Sequence, residues 1–159
     1  MPLTCRRTLG LLLAILLVVS SAPLRAAKCK TTEGPFTSNL VPPPECQSPV
    51  GVCTIGTLDG KFPETYDFVM DTLVDVGGGQ STYTGHSVIT RTRGGATILG
   101  QDTGVLTFTG PLTATFVTTV NIAGGTKQFA DATGQYVATG QLNFATGAAT
   151  GTFTSTVCK

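Results

Sequence analysis

Three groupings in this sequence carry residue types that could do chemistry. The only histidine, His86, is followed by Ser87, and with Asp102 further on they assemble a nucleophile, a base and a carboxylate on paper. Strand alternation sends His86 and Ser87 to opposite faces, and no serine sits in a Gly-x-Ser-x-Gly elbow. His86 therefore reads as a partly exposed surface histidine. Asp67, Asp71 and Asp75 form the second grouping. Glycoside chemistry needs a matched carboxylate pair across a cleft, whereas these three follow one strand face at about 7 Å per two-residue step. They read as a solvated outer wall. The third is the cysteines, which offer no close pair and meet only one histidine in the chain, so no metal centre is expected. No cofactor motif appears either. Spaced glycines such as Gly100 and Gly104, or Gly147 and Gly151, lack the strand-to-helix context and the Lys-Ser/Thr pair of a nucleotide loop.

Residues 1 to 26 read as a secretory signal, with Arg6 and Arg7 before the apolar run Leu9 to Val19 and a cleavage site at Leu24-Arg25-Ala26. The run falls short of the roughly 20 apolar residues that span a bilayer. The expected protein is secreted or periplasmic, with no membrane anchor in its mature form. Ten Lys and Arg against nine Asp and Glu give the whole chain +1, and loss of Arg6, Arg7 and Arg25 with the signal leaves −2. The remaining cations are scattered along the sequence except for Arg91 and Arg93, which argues against nucleic-acid binding.

The chain that must position these residues falls into two parts. Residues 27–51 carry Gly34-Pro35, Pro42-Pro43-Pro44 and Ser48-Pro49, and read as an irregular, disulfide-tied N-terminal arm. Residues 52–159 turn to period-two alternation rich in Thr, Val, Phe and Tyr, with glycine-containing breaks, the pattern of successive antiparallel strands. Eight are expected: 52–59, 64–76, 81–93, 96–101, 104–109, 112–122, 135–145 and 150–158, with a turn at Asp102-Thr103. In the second, Tyr66, Phe68, Met70, Val74 and Val76 share the apolar face. One buried and one solvated face per strand suits an antiparallel β-barrel, whose closure removes sticky edges. A β-sandwich is the alternative.

Cys5 leaves with the signal, and Cys29, Cys46, Cys53 and Cys158 imply two disulfides in an oxidising compartment. Three connectivities are open. The first and last strands of a barrel are neighbours, which favours Cys53 with Cys158 and leaves Cys29 with Cys46 as a clip on the arm.

One stretch is specific: Ile122-Ala123-Gly124-Gly125-Thr126-Lys127-Gln128-Phe129-Ala130-Asp131-Ala132-Thr133-Gly134. Its glycines allow positive φ at both ends, and Phe129 with Ala130 can fold back as an apolar plug. It resembles the Gly-Gly-Thr-Gly-x-Phe-x-x-Ala-x-Gly signature of the allene oxide cyclase and dirigent-like barrels, small secreted bacterial members included. Lys127 stands where that signature has its last glycine. Tyr83-Thr84-Gly85 and Asp102-Thr103-Gly104 resemble further family features. The resemblance implies an eight-stranded barrel with a mostly apolar lumen that preorganises a reactive ligand; no catalytic residue of either family maps onto a position here.

The function expected first is binding or orienting a small apolar or aromatic molecule, with Tyr66, Phe116 and Tyr136 as the aromatic wall and Arg91 as a polar anchor. An isomerase or cyclase acting on a lipid or polyketide-like substrate is the alternative, and it would need a buried ionisable group with a perturbed pKa. The third reading is a filled barrel whose Thr-rich outer faces mediate homo-oligomeric or surface association.

Overall fold

The computed structural model describes residues 27–159, so the expected signal at residues 1–26 lies outside the described part. Eight strands follow one another: β1 (Cys29–Leu40), β2 (Cys53–Leu58), β3 (Glu64–Gly77), β4 (Gln80–Arg91), β5 (Thr97–Gly110), β6 (Thr113–Gly125), β7 (Thr133–Asn143) and β8 (Ala148–Cys158). Each pairs antiparallel with the next, and β8 returns to β1, closing the barrel. A single 3₁₀ turn, Lys127–Phe129, interrupts the β6–β7 connection. The sandwich alternative is thereby excluded.

The count of eight agrees with expectation, but one strand is gained and two expected strands merge into one. The stretch expected to be an arm supplies β1, which pairs with β8 from Cys29↔Cys158 to Asn39↔Ala148. Pro35 is tolerated there for a geometric reason. Its carbonyl accepts from Asp59 N–H on the β2 side, so its missing donor faces the same way, and pairing with β2 begins only at Phe36. The opposite error concerns 96–101 and 104–109, which form one strand, β5. No turn occurs at Asp102-Thr103; Asp102 instead points inward and is buried.

The disulfides are Cys29–Cys158 and Cys46–Cys53, not Cys53–Cys158 and Cys29–Cys46. Neighbouring first and last strands are indeed joined, but the first strand starts at Cys29. Alternation also breaks in β3, where the register with β4 shifts between Met70 and Thr72 and again between Asp75 and Gly77, and the β5–β6 register shifts near both ends of that pair. Beyond the bulge at Met70 and Thr72, Leu73 faces the lumen, whereas Val74 and Val76 are each 55% exposed.

The two ends of the barrel differ. Chain entry at β1, chain exit from β8 and the β2–β3, β4–β5 and β6–β7 connections gather at one end. There Phe129 and Ala132, rather than Ala130, are buried as the plug. Gly124 (φ 97°) and Gly134 (φ 117°) make its sharp turns, and Lys127 takes φ 53° in the position where the signature has glycine. A core of Phe36, Leu58, Ile89, Ile98, Val120, Ile122, Tyr136, Phe153 and Val157 packs beneath the plug. A smaller cluster of Met70, Tyr83, Leu106 and Ala114 lies nearer the other end, which stays open.

Candidate functional site

Inward-facing small residues leave space that a barrel of this size can otherwise fill with side chains. Gly140 and Gly151 face each other across β7 and β8, and the Phe36 ring lies over both. On β5, Gly104 lies directly against the Tyr83 ring, without the positive φ of a turn glycine. A cavity of about 370 Å³ remains. Val52, Leu73, Phe108, Pro111, Leu112 and Phe144 line its mouth, and Phe36, Tyr66, Phe116, Val120 and Phe153 line its body.

Into this apolar space projects one carboxylate. Asp102 on β5 is 3% exposed, and the Ser87 hydroxyl on β4 lies 2.8 Å from each of its oxygens. No cation forms an ion pair with it among the described residues. Burial pushes its carboxyl up to about 6, although Ser87 donates to it and His86 acts in the lowering direction from outside the wall. Two tyrosines share this polar level. Burial raises the Tyr66 hydroxyl, partly offset by Ser38 and Thr54 beside it, and lifts the Tyr83 hydroxyl to about 12 despite a hydrogen bond with Thr118. A ligand in the cavity would meet apolar walls throughout and a proton-exchanging group at one level. Such a group can accept a hydrogen bond when ionised and donate one when protonated.

Of the expected site residues, Tyr66, Phe116 and Tyr136 line this cavity, with Phe116 packed 5.9 Å from Phe36 between ring centroids. Arg91 does not. Its Nε lies 2.6 Å from Glu64 Oε1 at the plugged end, in an ion pair without hydrogen-bond alignment, and its guanidinium stacks 4.6 Å from the Phe62 ring. The Tyr136 hydroxyl donates to Glu64 Oε2 at 3.1 Å, so the tyrosine's ring walls the cavity while its hydroxyl faces the far side. Burial raises the Glu64 carboxyl, with Arg91 opposing.

His86 and Ser87 occupy opposite faces, as alternation requires. His86 Nδ1 lies 3.1 Å from the Asp71 carboxylate on the exposed wall, while Ser87 is buried with Asp102. The paper triad therefore separates, and two of its members become the polar core of the lumen. An unbroken period of two through Ile98, Gly100, Asp102, Gly104 and Leu106 was the available signal for this, masked by the turn chemistry of Asp-Thr-Gly.

The cations, scattered in sequence, are gathered in space. Lys28, Lys30, Lys61, Arg91, Arg93, Lys127 and Lys159 all belong to the plugged end, because every other connection and both ends of the described chain meet there. Compared with protein-family models, curated proteins and solved structures, the chain matches none.

Proposed function

We propose that this protein is a secreted barrel that binds a small, largely apolar or aromatic molecule carrying one hydroxyl or carbonyl group. The observation that carries this reading is the open apolar cavity of about 370 Å³ with Asp102 and Ser87 as its buried acid and hydroxyl. Its volume falls in the range of small-molecule sites, about 300–1,000 Å³. Two disulfides are compatible with an extracellular or periplasmic location, and no helix among the described residues is long and apolar enough to cross a membrane. The barrel topology and the turn at Gly124 to Gly134 support kinship with the allene oxide cyclase and dirigent-like barrels as part of the same proposal.

The chain contains three tyrosines and no tryptophan, and all three tyrosines line the cavity. Intrinsic emission therefore reports on the lumen directly. Titration of the oxidised protein with medium-chain fatty alcohols is expected to change tyrosine emission saturably, and monocyclic phenols, whose own emission overlaps that of tyrosine, are followed by calorimetry. Phe116→Ala removes a wall of the cavity and should weaken that binding about tenfold or more, at the scale of a lost aromatic contact, with little change in the solubility of the oxidised protein. An unchanged affinity for every compound bound removes Phe116 from the site, and no saturable response to either class removes the reading.

A second reading, an isomerase or cyclase in the same lumen, is favoured by one observation: a buried carboxyl whose pKa lies near 6 can hold or release a proton near neutral pH. Conversion of a bound compound by the native protein but not by Asp102→Asn would select this reading over simple carriage.

A further inference from the structure

A second, smaller cavity of about 220 Å³ lies at the plugged end, on the other side of Tyr136 from the lumen. Lys30, Arg91 and Lys159 line it, and Glu64 is the only side-chain carboxylate among its lining residues. Side-chain cations outnumber side-chain carboxylates there three to one. The single carboxylate is already engaged on both oxygens, with Arg91 at 2.6 Å and the Tyr136 hydroxyl at 3.1 Å. No carboxylate lies within ion-pair distance of Lys30 or Lys159 among the described residues.

Two of the cations also lie against aromatic rings. The Arg91 guanidinium lies between the rings of Phe62 and Phe129, 4.6 and 5.4 Å from their centroids. Lys159 Nζ sits 4.8 Å from the Phe129 centroid. Phe129 is the buried residue of the plug, so the turn that seals the lumen also builds one wall of this cavity. Arg91 Nε and Glu64 Oε1 are buried and lack an aligned hydrogen-bond partner. A half-buried guanidinium whose Nε lacks an aligned partner gains from an acceptor that fits its fork.

We propose that this cavity is a binding site for a small oxyanion, a carboxylate or a phosphate group, gripped by Arg91, Lys30 and Lys159. The site is independent of the lumen. Arg91 supplies the planar fork and the two lysines supply further positive charge. The other cations of the plugged end, Lys28, Lys61, Arg93 and Lys127, raise the local anion concentration without lining the cavity.

The test is a titration of isotopically labelled, oxidised protein with sodium phosphate, and separately with sodium acetate, at constant ionic strength held by sodium chloride, followed by amide chemical shifts. Saturable shifts confined to the neighbourhood of Lys30, Gln128 and Lys159, with Leu73 and Phe108 at the mouth unmoved, are expected for at least one anion. The anion that saturates at lower concentration distinguishes a phosphoryl from a carboxylate ligand. Lys30→Gln with Lys159→Gln should weaken binding at least tenfold, whereas Lys28→Gln with Lys61→Gln, equal in charge but outside the cavity, should leave it within about threefold. Equal weakening by both pairs would reduce the site to a diffuse field and overturn the proposal. So would a response to phosphate and acetate no different from that to chloride. Lumen binding of medium-chain fatty alcohols, read by tyrosine emission, should survive loss of both lysines, which keeps failure of one site distinguishable from failure of the other.

Discussion

Asp102 carries its carboxyl in surroundings that favour the proton. Burial lifts it to about 6 from an ordinary 3.8, so the folded state holds that proton more tightly than the unfolded chain does. The sign follows: its contribution to stability is complete below about pH 4 and is lost as the pH rises through 6, a difference of about 3 kcal/mol between the limits. Asp102→Asn keeps an acceptor for Ser87 and cannot ionise. Urea unfolding at pH 4 and pH 7 should show the native protein losing stability over this interval and the variant losing distinctly less. A residual slope of the same sign is expected from Glu64, whose carboxyl is also raised by burial. An identical slope in the variant would mean that Asp102 is hydrated in the lumen. Beside it, Ser87 owes its place to parity alone: one step along β4, His86 stands on the wet wall with Asp71.

β5 shows how a site residue can hide inside a familiar local signal. Asp-Thr-Gly in a Thr-rich chain reads as a turn because aspartate and glycine favour one. In the barrel, Asp102 serves the lumen and Gly104 makes room for Tyr83, a contact between strands that no local pattern encodes. Gly104→Ala should therefore cost about 1–3 kcal/mol by overpacking, and Tyr83→Leu in the same chain should recover most of it, as thermal or urea unfolding of the single and double variants would reveal. A turn glycine would be indifferent to the residue at 83. The segments β7, β8 and β6 as far as Ile122 were legible because they alternate without interruption, as were the plug's Phe129 and the aromatic wall of Tyr66, Phe116 and Tyr136. β1 was not, since Pro35 is tolerated in a strand only where its missing donor falls at the end of a ladder, here just before pairing with β2 begins at Phe36. Nor was the far half of β3, where the bulge exchanges Leu73 for Val74. The same limit applies to Arg91, whose inward parity is plain but whose height along the barrel depends on pairings across four strands.

At the scale of the whole molecule, closure and charge have a common origin in the order of connections. Antiparallel neighbours all round send alternate connections to opposite ends, and the cations lie on or beside those that meet at the plug. The mouth, by contrast, carries exposed Leu73, Phe108 and Leu112. The two disulfides divide in the same way. Cys29–Cys158 joins residues separated by 129 positions at the plugged end, and Cys46–Cys53 joins residues separated by 7. In the chain-entropy picture the long loop is worth about 5 kcal/mol and the short one about 2. Replacing Cys29 and Cys158 by serine should lower the urea midpoint well below that of the Cys46 and Cys53 double replacement, and a reversed order would show that strain or unfolded-state structure outweighs loop length. The bond at Cys29 and Cys158 has one more consequence. It turns the eight strands into a covalent ring, so a protease that cuts a single hairpin, at Gly77 to Gly79 for example, opens the ring without separating any strand from the rest. The nicked product stays one molecule with all eight pairings available. Shedding a fragment requires either a second cut or a reductant.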